Sequence, residues 1–216
     1  MNGCSLTPHY ISVYCDTQFK SGFKQMPTNE IEEKIESVIR LFCCLSGRDI
    51  FIAAYTKLLA VRLLNKTSIS DDSERMMINK LQVECGHNTV HKIKVMFEDI
   101  QKSRQMMQEF KNRADGGSSL VNGIEFSSEI LTSGHWPYQQ IPRCVVPAKL
   151  QSVQMTFDRF YKAKFQNRQI NYLLSVGSVM VQTTYLAKAY QFQLSFYQAS
   201  IVCLFNDQDK MTYSQI

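Results

Sequence analysis

Apolar residues recur every three or four positions through the first half of the chain, then every second position through part of the rest. Thr7-Pro8 reads as a helix start, with Thr7 as N-cap, Pro8 at the first helical position and Leu6 stapled against Ile11; this helix runs to about Phe23. Asn29 and Glu32 begin a second, carrying Ile31, Ile35, Val38, Ile39, Phe42 and Leu45 on one side. Ser46 and Asp49 form a capping-box pattern before a third, with Phe51, Tyr55, Leu58, Leu59 and Leu63 inward. Asp71 and Glu74 begin a fourth, with Met76, Met77 and Leu81 inward, and Gly86 ends it. A fifth, from about Asn88 to Arg113, uses Val90, Ile93, Phe97, Ile100, Met107 and Phe110. Long helices with short connections predict an antiparallel bundle.

Residues 114–119, Ala-Asp-Gly-Gly-Ser-Ser, offer nothing to pack and mark an internal boundary. Beyond it Ile124, Phe126 and Ile130 predict a first strand, and Pro147 opens a helix to about Phe165. Ile170, Tyr172, Leu174 and Val176 alternate as a strand should, Gly177-Ser178 reads as a two-residue hairpin turn, and Val179, Val181, Thr183 and Tyr185 form the return strand. Tyr190, Phe192 and Leu194 extend the meander, and the Ser195/Gln198 capping box starts a last helix. The expected fold is therefore mainly α with α+β: an antiparallel helical bundle, then a small antiparallel sheet packed on helices. Thr212 and Gln215 announce one more helix that stops after a turn, which suggests a piece of a longer architecture.

Composition narrows the function classes. Apolar content of 44% and charged content of 20% are those of an ordinary globular chain. The net charge of +5 is spread out, with 16 basic and 13 acidic residues in 1–113 and 8 and 6 in 114–216. A phosphate-binding face clusters its cations, so nucleic acid is not the expected partner, although a helical nucleic-acid-binding module is the rival that a pI near 8.8 keeps open. No charged and apolar leader opens the chain and no apolar run reaches the roughly 18 residues of a membrane span. Seven irregularly spaced cysteines suit reduced thiols. A cytoplasmic or nuclear protein without membrane contact is expected.

Candidate chemistry is sparse. Cys85, His87 and His91 lie within seven residues, but a zinc site needs a fourth ligand, and a helix break followed by a helix start explains them as well. Cys43-Cys44 point about 100° apart on a helix, which favours packing over redox chemistry. Asp71, Asp72 and Glu74 suit a helix N-terminus. No Gly-rich phosphate loop is present, and no cofactor, metal, small-molecule substrate or catalytic residue is expected.

Several segments carry a resemblance in collinear order. Asp49-Ile50-Phe51 through Tyr55-Thr56-Lys57-Leu58-Leu59-Ala60-Val61-Arg62-Leu63-Leu64 resembles a cullin pattern. So do Ser70 to Glu74 with Lys80-Leu81 and Glu84-Cys85-Gly86, Met96 to Ile100 with Ser103, and Leu131-Thr132-Ser133-Gly134-His135-Trp136-Pro137. Phe157, Phe160-Tyr161, Arg168 and Leu204-Phe205-Asn206 continue it, so that the resemblance covers about residues 8–216. Val61 replaces the family's usual Lys, and Asn167-Arg168-Gln169 its usual Gly-Arg-Lys.

The resemblance implies a helical region over 1–115, an α/β domain over 120–206 and the first turns of a winged-helix segment over 207–216. It implies a non-catalytic scaffold of a ubiquitin ligase complex, acting in ubiquitin-dependent protein degradation. Such a scaffold binds a RING-box protein that donates a strand to the α/β sheet and, through it, a ubiquitin-conjugating enzyme. The edge-forming positions would be Ile124, Phe126, Ile130, Ile170, Tyr172, Leu174, Val179 and Val181. Trp136 reads either as an anchor at the corner of the small domain or as part of the apolar wall that receives the partner. A degenerate relative that keeps the fold without RING binding is the other alternative.

Overall fold

A computed structural model describes residues 6–113, 120–121, 123–138, 144–184, 186–206 and 208–215. The chain forms two compact units, one of residues 1–107 with 128–138 and the other of 108–127 with 139–216. The expected 114–119 boundary lies outside the described residues.

The first unit is built from helices α1 (Thr7–Thr17), α2 (Thr28–Cys43), α3 (Arg48–Asn65), α4 (Asp71–Cys85) and most of α5 (His87–Arg113). Helix α1 widens into a π-helical turn over Gln18–Gly22, so the expected helix to Phe23 is nearly met. The predicted apolar stripes mostly face inward: Ile31, Ile35, Val38, Ile39 and Phe42 of α2 are buried, as are Phe51, Tyr55, Leu59 and Leu63 of α3, whereas Leu58 is only half-buried. Val90, Ile93, Phe97 and Ile100 of α5 complete the core. Fully burying one such side chain stabilises by roughly 1.5–3 kcal/mol.

The helix starts follow the predicted chemistry only in part. Helix α4 ends at Gly86 as expected, at φ +79°, but its N-cap is Ser70, which accepts from the Ser73 N–H, one residue before the expected Asp71. By contrast, α1, α2 and α3 begin after Leu6, Pro27 and Gly47, none with a side-chain cap bond, so Thr7, Asn29 and Ser46 are not the N-caps. Pro8 holds the first turn of α1 by its fixed φ instead.

A buried ion cluster ties the helices of this unit together. Arg62 has no exposed side-chain surface; its Nε and one terminal nitrogen donate to Glu74 at 2.8 and 3.0 Å, and the other donates to Asp16 at 2.8 Å. Ser68 and Tyr55 hydroxyls donate to the same Glu74 carboxylate at 2.7 and 3.3 Å. The guanidinium also lies over Phe19 and Tyr55. Glu74 therefore does more than favour a helix N-terminus, which is all that its place in the sequence suggested.

The second unit holds the end of α5, the ribbon β1 (Leu120–Val121) with β2 (Ile124–Glu125), helix α6 (Ala148–Lys164), the ribbon β3 (Ser178–Gln182) with β4 (Gln191–Ser195), and helix α7 (Phe196–Leu204). Both ribbons are antiparallel. Phe110, Phe126, Phe157 and Phe160 pack ring against ring, and Tyr161 adds to them through Phe157. The Ser195/Gln198 capping box forms with both of its bonds. At Thr212 the Gln215 side chain accepts from the Thr212 N–H at 2.8 Å, and a 3-10 turn follows over Tyr213–Gln215.

One predicted strand is absent. Residues 169–173 are irregular and Leu174–Val176 form a 3-10 turn, closed by bonds from Val176 N–H to Leu173 O and from Gly177 N–H to Leu174 O. Those carbonyls are thereby used locally, and Gly177-Ser178 is no hairpin turn, since Gly177 is extended at φ −75° and ψ 147°. The strand partner of β3 is β4. Among the described residues no helix is long and apolar enough to cross a membrane.

Candidate interaction surface

The ribbon of β3 and β4 has no third strand among the described residues, which leaves backbone bonding capacity open along its edges. Its register pairs Val179 with Leu194, Met180 with Gln193 and Val181 with Phe192. The ends of the ladder fix its phase: Phe196 N–H bonds Gly177 O at 3.1 Å, and Thr183 N–H bonds Tyr190 O at 3.0 Å. In an antiparallel pair hydrogen-bonded positions alternate. Gly177, Val179, Val181 and Thr183 thus turn their backbone groups toward β4, while Ser178, Met180 and Gln182 turn theirs outward. On β4 the outward positions are Gln191, Gln193 and Ser195, and the Ser195 N–H is already held by the Gln198 side chain at 2.9 Å. The outer edge of β3 is therefore the cleaner of the two, a row without a strand partner among the described residues.

Side chains divide across the ribbon with the period of two. Val179, Val181 and Leu194 are half-buried on one face, where Phe192 is also exposed, and Met180 stands 61% exposed on the other. An added strand beside Ser178–Gln182 would meet apolar neighbours on the first face and a methionine between Ser178 and Gln182 on the second.

The structure scatters the other predicted positions. Ile124 is on β2, half-buried, and Phe126 follows that strand within the phenylalanine cluster. Ile130 is on no strand; its N–H and C=O are both bonded to the Ser103 hydroxyl, at 2.6 and 3.1 Å, which leaves it nothing to offer a partner strand. Ile170 and Leu174 also lie off the strands. Tyr172 is tied to α6, its hydroxyl donating to Asp158 at 2.8 Å; burial, then that bond, raises its pKa well above the usual phenol value. Tyr185 lies outside the described residues.

Trp136 corrects an expectation. It is neither the corner of the small domain nor an open wall: its ring is buried in the core of the helical unit, and its indole N–H donates to Asp99 at 2.8 Å. The same carboxylate accepts the Thr132 N–H and hydroxyl, both at 2.7 Å. A buried carboxylate needs such donors, so Asp99 draws the Leu131–Pro137 segment onto α5. Asp99 sits on the apolar stripe of α5 between Met96 and Ser103, which was the available sign of a tertiary partner.

Among the described residues no group of three or more His, Cys, Asp or Glu side chains is arranged to hold a metal ion. The outer edge of β3 offers backbone pairing and apolar contact.

Comparison with known proteins agrees with this architecture. Residues 1–107 match the cullin alpha solenoid domain and residues 130–216 match the cullin alpha+beta domain. Cullin-3 of Dictyostelium discoideum is 32% identical over 210 residues, covering 97% of this chain and 27% of that relative. The chain thus spans about a quarter of the length of the curated relative it matches. Two consecutive domain matches over most of its residues, in the order the fold displays, place this chain in the cullin family.

Proposed function

We propose that the chain is a non-catalytic scaffold module of a cullin–RING ubiquitin ligase and that it binds a RING-box protein by accepting a strand on the outer edge of β3. The observation that carries the reading is that edge, where Ser178, Met180 and Gln182 present backbone groups without a strand partner among the described residues, beside the half-buried Val179 and Val181. Strand addition uses such a row: main-chain bonds supply affinity, and alternate side chains supply selectivity. The family match supports the partner class, because residues 130–216 fall in the cullin alpha+beta domain. In this reading Val179 and Val181 line the seam, and Ile124, Phe126, Ile130, Trp136, Ile170, Tyr172 and Leu174 support the units from within.

The helical unit serves as a rigid spacer that positions the RING subunit and the ubiquitin-conjugating enzyme it recruits, and catalysis in ubiquitin-dependent degradation belongs to those partners. The division into a helical region over 1–115, an α/β domain over 120–206 and a winged-helix start over 207–216 is part of the same proposal, as is residence in the cytoplasm or nucleus.

Co-expression with a RING-box protein followed by size-exclusion chromatography tests it. A stable one-to-one complex is expected. A folded chain that elutes alone refutes RING binding and leaves the degenerate relative as the reading.

A further inference from the structure

Helix α1 does not present the surface that its neighbour α2 presents. A surface helix turns its charged residues to solvent, as α2 does with Glu30, Glu32, Glu33, Lys34, Glu36 and Arg40. On α1 the only charged residue, Asp16, is buried and bonded to Arg62 at 2.8 Å. The outward positions are instead Leu6 at the N-cap, His9, Tyr10, Val13, Tyr14 and Thr17, all exposed. Leu6, Tyr10, Val13 and Tyr14 stand 50, 63, 39 and 48% exposed. Tyrosine enrichment with charge depletion is the composition of an interface core.

We propose that this face pairs with the same face of a second copy of the chain, the two α1 helices lying antiparallel about a twofold axis. The spacing selects that occupant. Leu6, Tyr10, Val13 and Thr17 follow steps of four, three and four, the seam of a helix pair. Set antiparallel, this seam complements itself: Leu6 of one copy meets Thr17 of the other, Tyr10 meets Val13, and each contact occurs twice, as an isologous interface requires. Tyr14 flanks the seam on one side and His9 on the other.

Charge points the same way. Each copy carries a net charge of +5, and a face without charge lets two copies meet without setting like charges against each other. The exposed parts of the six side chains amount to roughly 600 Å² per copy, or about 1,200 Å² for the pair, at the lower limit of specific interfaces. The dimer is accordingly weak and concentration-dependent. The α1 face and the β3 edge share no residue, so a RING-box complex would become two-to-two at an unchanged one-to-one ratio.

Sedimentation equilibrium of the full chain over a concentration series up to about 0.5 mM tests the pairing. A mass rising from the 24.9 kDa of one chain toward twice that value is expected. Tyr10→Glu and Val13→Lys should each raise the dissociation constant at least about tenfold, because each strands a charge in the seam. Circular dichroism should show both variants folded, since both positions are exposed. Mixed in equal amounts, the two variants should associate again, because the introduced carboxylate of one chain then faces the introduced ammonium of the other. Val83→Glu, at an exposed valine of α4 away from this face, should leave association unchanged. A wild-type chain that stays monomeric across the series overturns the proposal and leaves the face to a partner of another sequence. Wild-type association in Tyr10→Glu, equal weakening in Val83→Glu, or a mixture that stays monomeric would overturn it as well.

Discussion

Arg62→Met tests the ion cluster of the helical unit directly. Arg62 and Glu74 have no exposed side-chain surface, whereas Asp16 keeps 12% exposure and a second partner in Lys20 at 2.7 Å. The damage therefore falls on Glu74, which loses its 2.8 and 3.0 Å bonds to the guanidinium and retains only the Ser68 and Tyr55 hydroxyls. Burial opposes the charge on Arg62, yet Tyr55, Glu74 and Asp16 together raise its pKa, so the cation is fixed in place. Removing one partner of a buried pair costs about 3–5 kcal/mol, because a buried charge is left without compensation. Methionine fills much of the aliphatic space between Phe19 and Tyr55, so a cavity adds little. Urea unfolding followed by Trp136 fluorescence reads this unit specifically, since the only tryptophan lies in its core. A fall of roughly 10 °C or more in melting temperature should accompany the loss. In Arg62→Met/Glu74→Leu the stranded carboxylate is gone, and at least half of the stability should return. A loss below about 1 kcal/mol in the single variant, or an equal loss in the double, would refute the reasoning.

Two further outcomes follow from buried hydroxyl and thiol groups. Burial pushes the Cys15 thiol from 9.0 up to about 12. In a pulse of alkylating reagent at mild pH, mass spectrometry should find the exposed Cys44 modified first and Cys15 only on unfolding. The raised value means that the unfolded chain releases this proton first. Its contribution to stability is complete below pH 9 and declines between about 9 and 12, by about 1.4 kcal/mol per pH unit, a slope that Cys15→Ala should flatten. Tyr172→Phe should destabilise the second unit by about 1–2 kcal/mol, seen as faster hydrogen exchange in α6, while leaving the β3 edge able to bind. Unchanged exchange would contradict the anchoring role of Asp158.

The helices were legible because a period of 3.6 persists over three to seven turns, and tertiary packing agreed with it at nearly every apolar position of α2, α3 and α5. The interaction surface was less legible. The alternation of Ile170, Tyr172, Leu174 and Val176 satisfies an extended segment lying on a helix as well as it does a strand, and the Tyr172 hydroxyl decided between them by bonding to Asp158. Trp136 was placed by Asp99, a partner 37 residues away that no local pattern reveals. Arg62 carried a readable signal: it falls three residues after Leu59 and seven after Tyr55, on the apolar stripe itself, where a charge requires a buried counter-ion. The meander was half-read: Val179 and Val181 lie on a strand paired with the Gln191–Ser195 segment, as expected, but the 170–176 segment expected on their other side is not a strand.

That register also selects the most direct test of strand addition. Val181 bonds toward β4, so a proline there damages the ribbon and says nothing about the free edge. Met180 points its N–H outward, where an edge strand tolerates proline. The measurement is the affinity of a RING-box protein for the wild-type chain and for Met180→Pro, with circular dichroism confirming that both are folded. Loss of at least tenfold in affinity with the fold intact is the predicted result. Equal affinity in the two proteins would contradict strand addition at this edge.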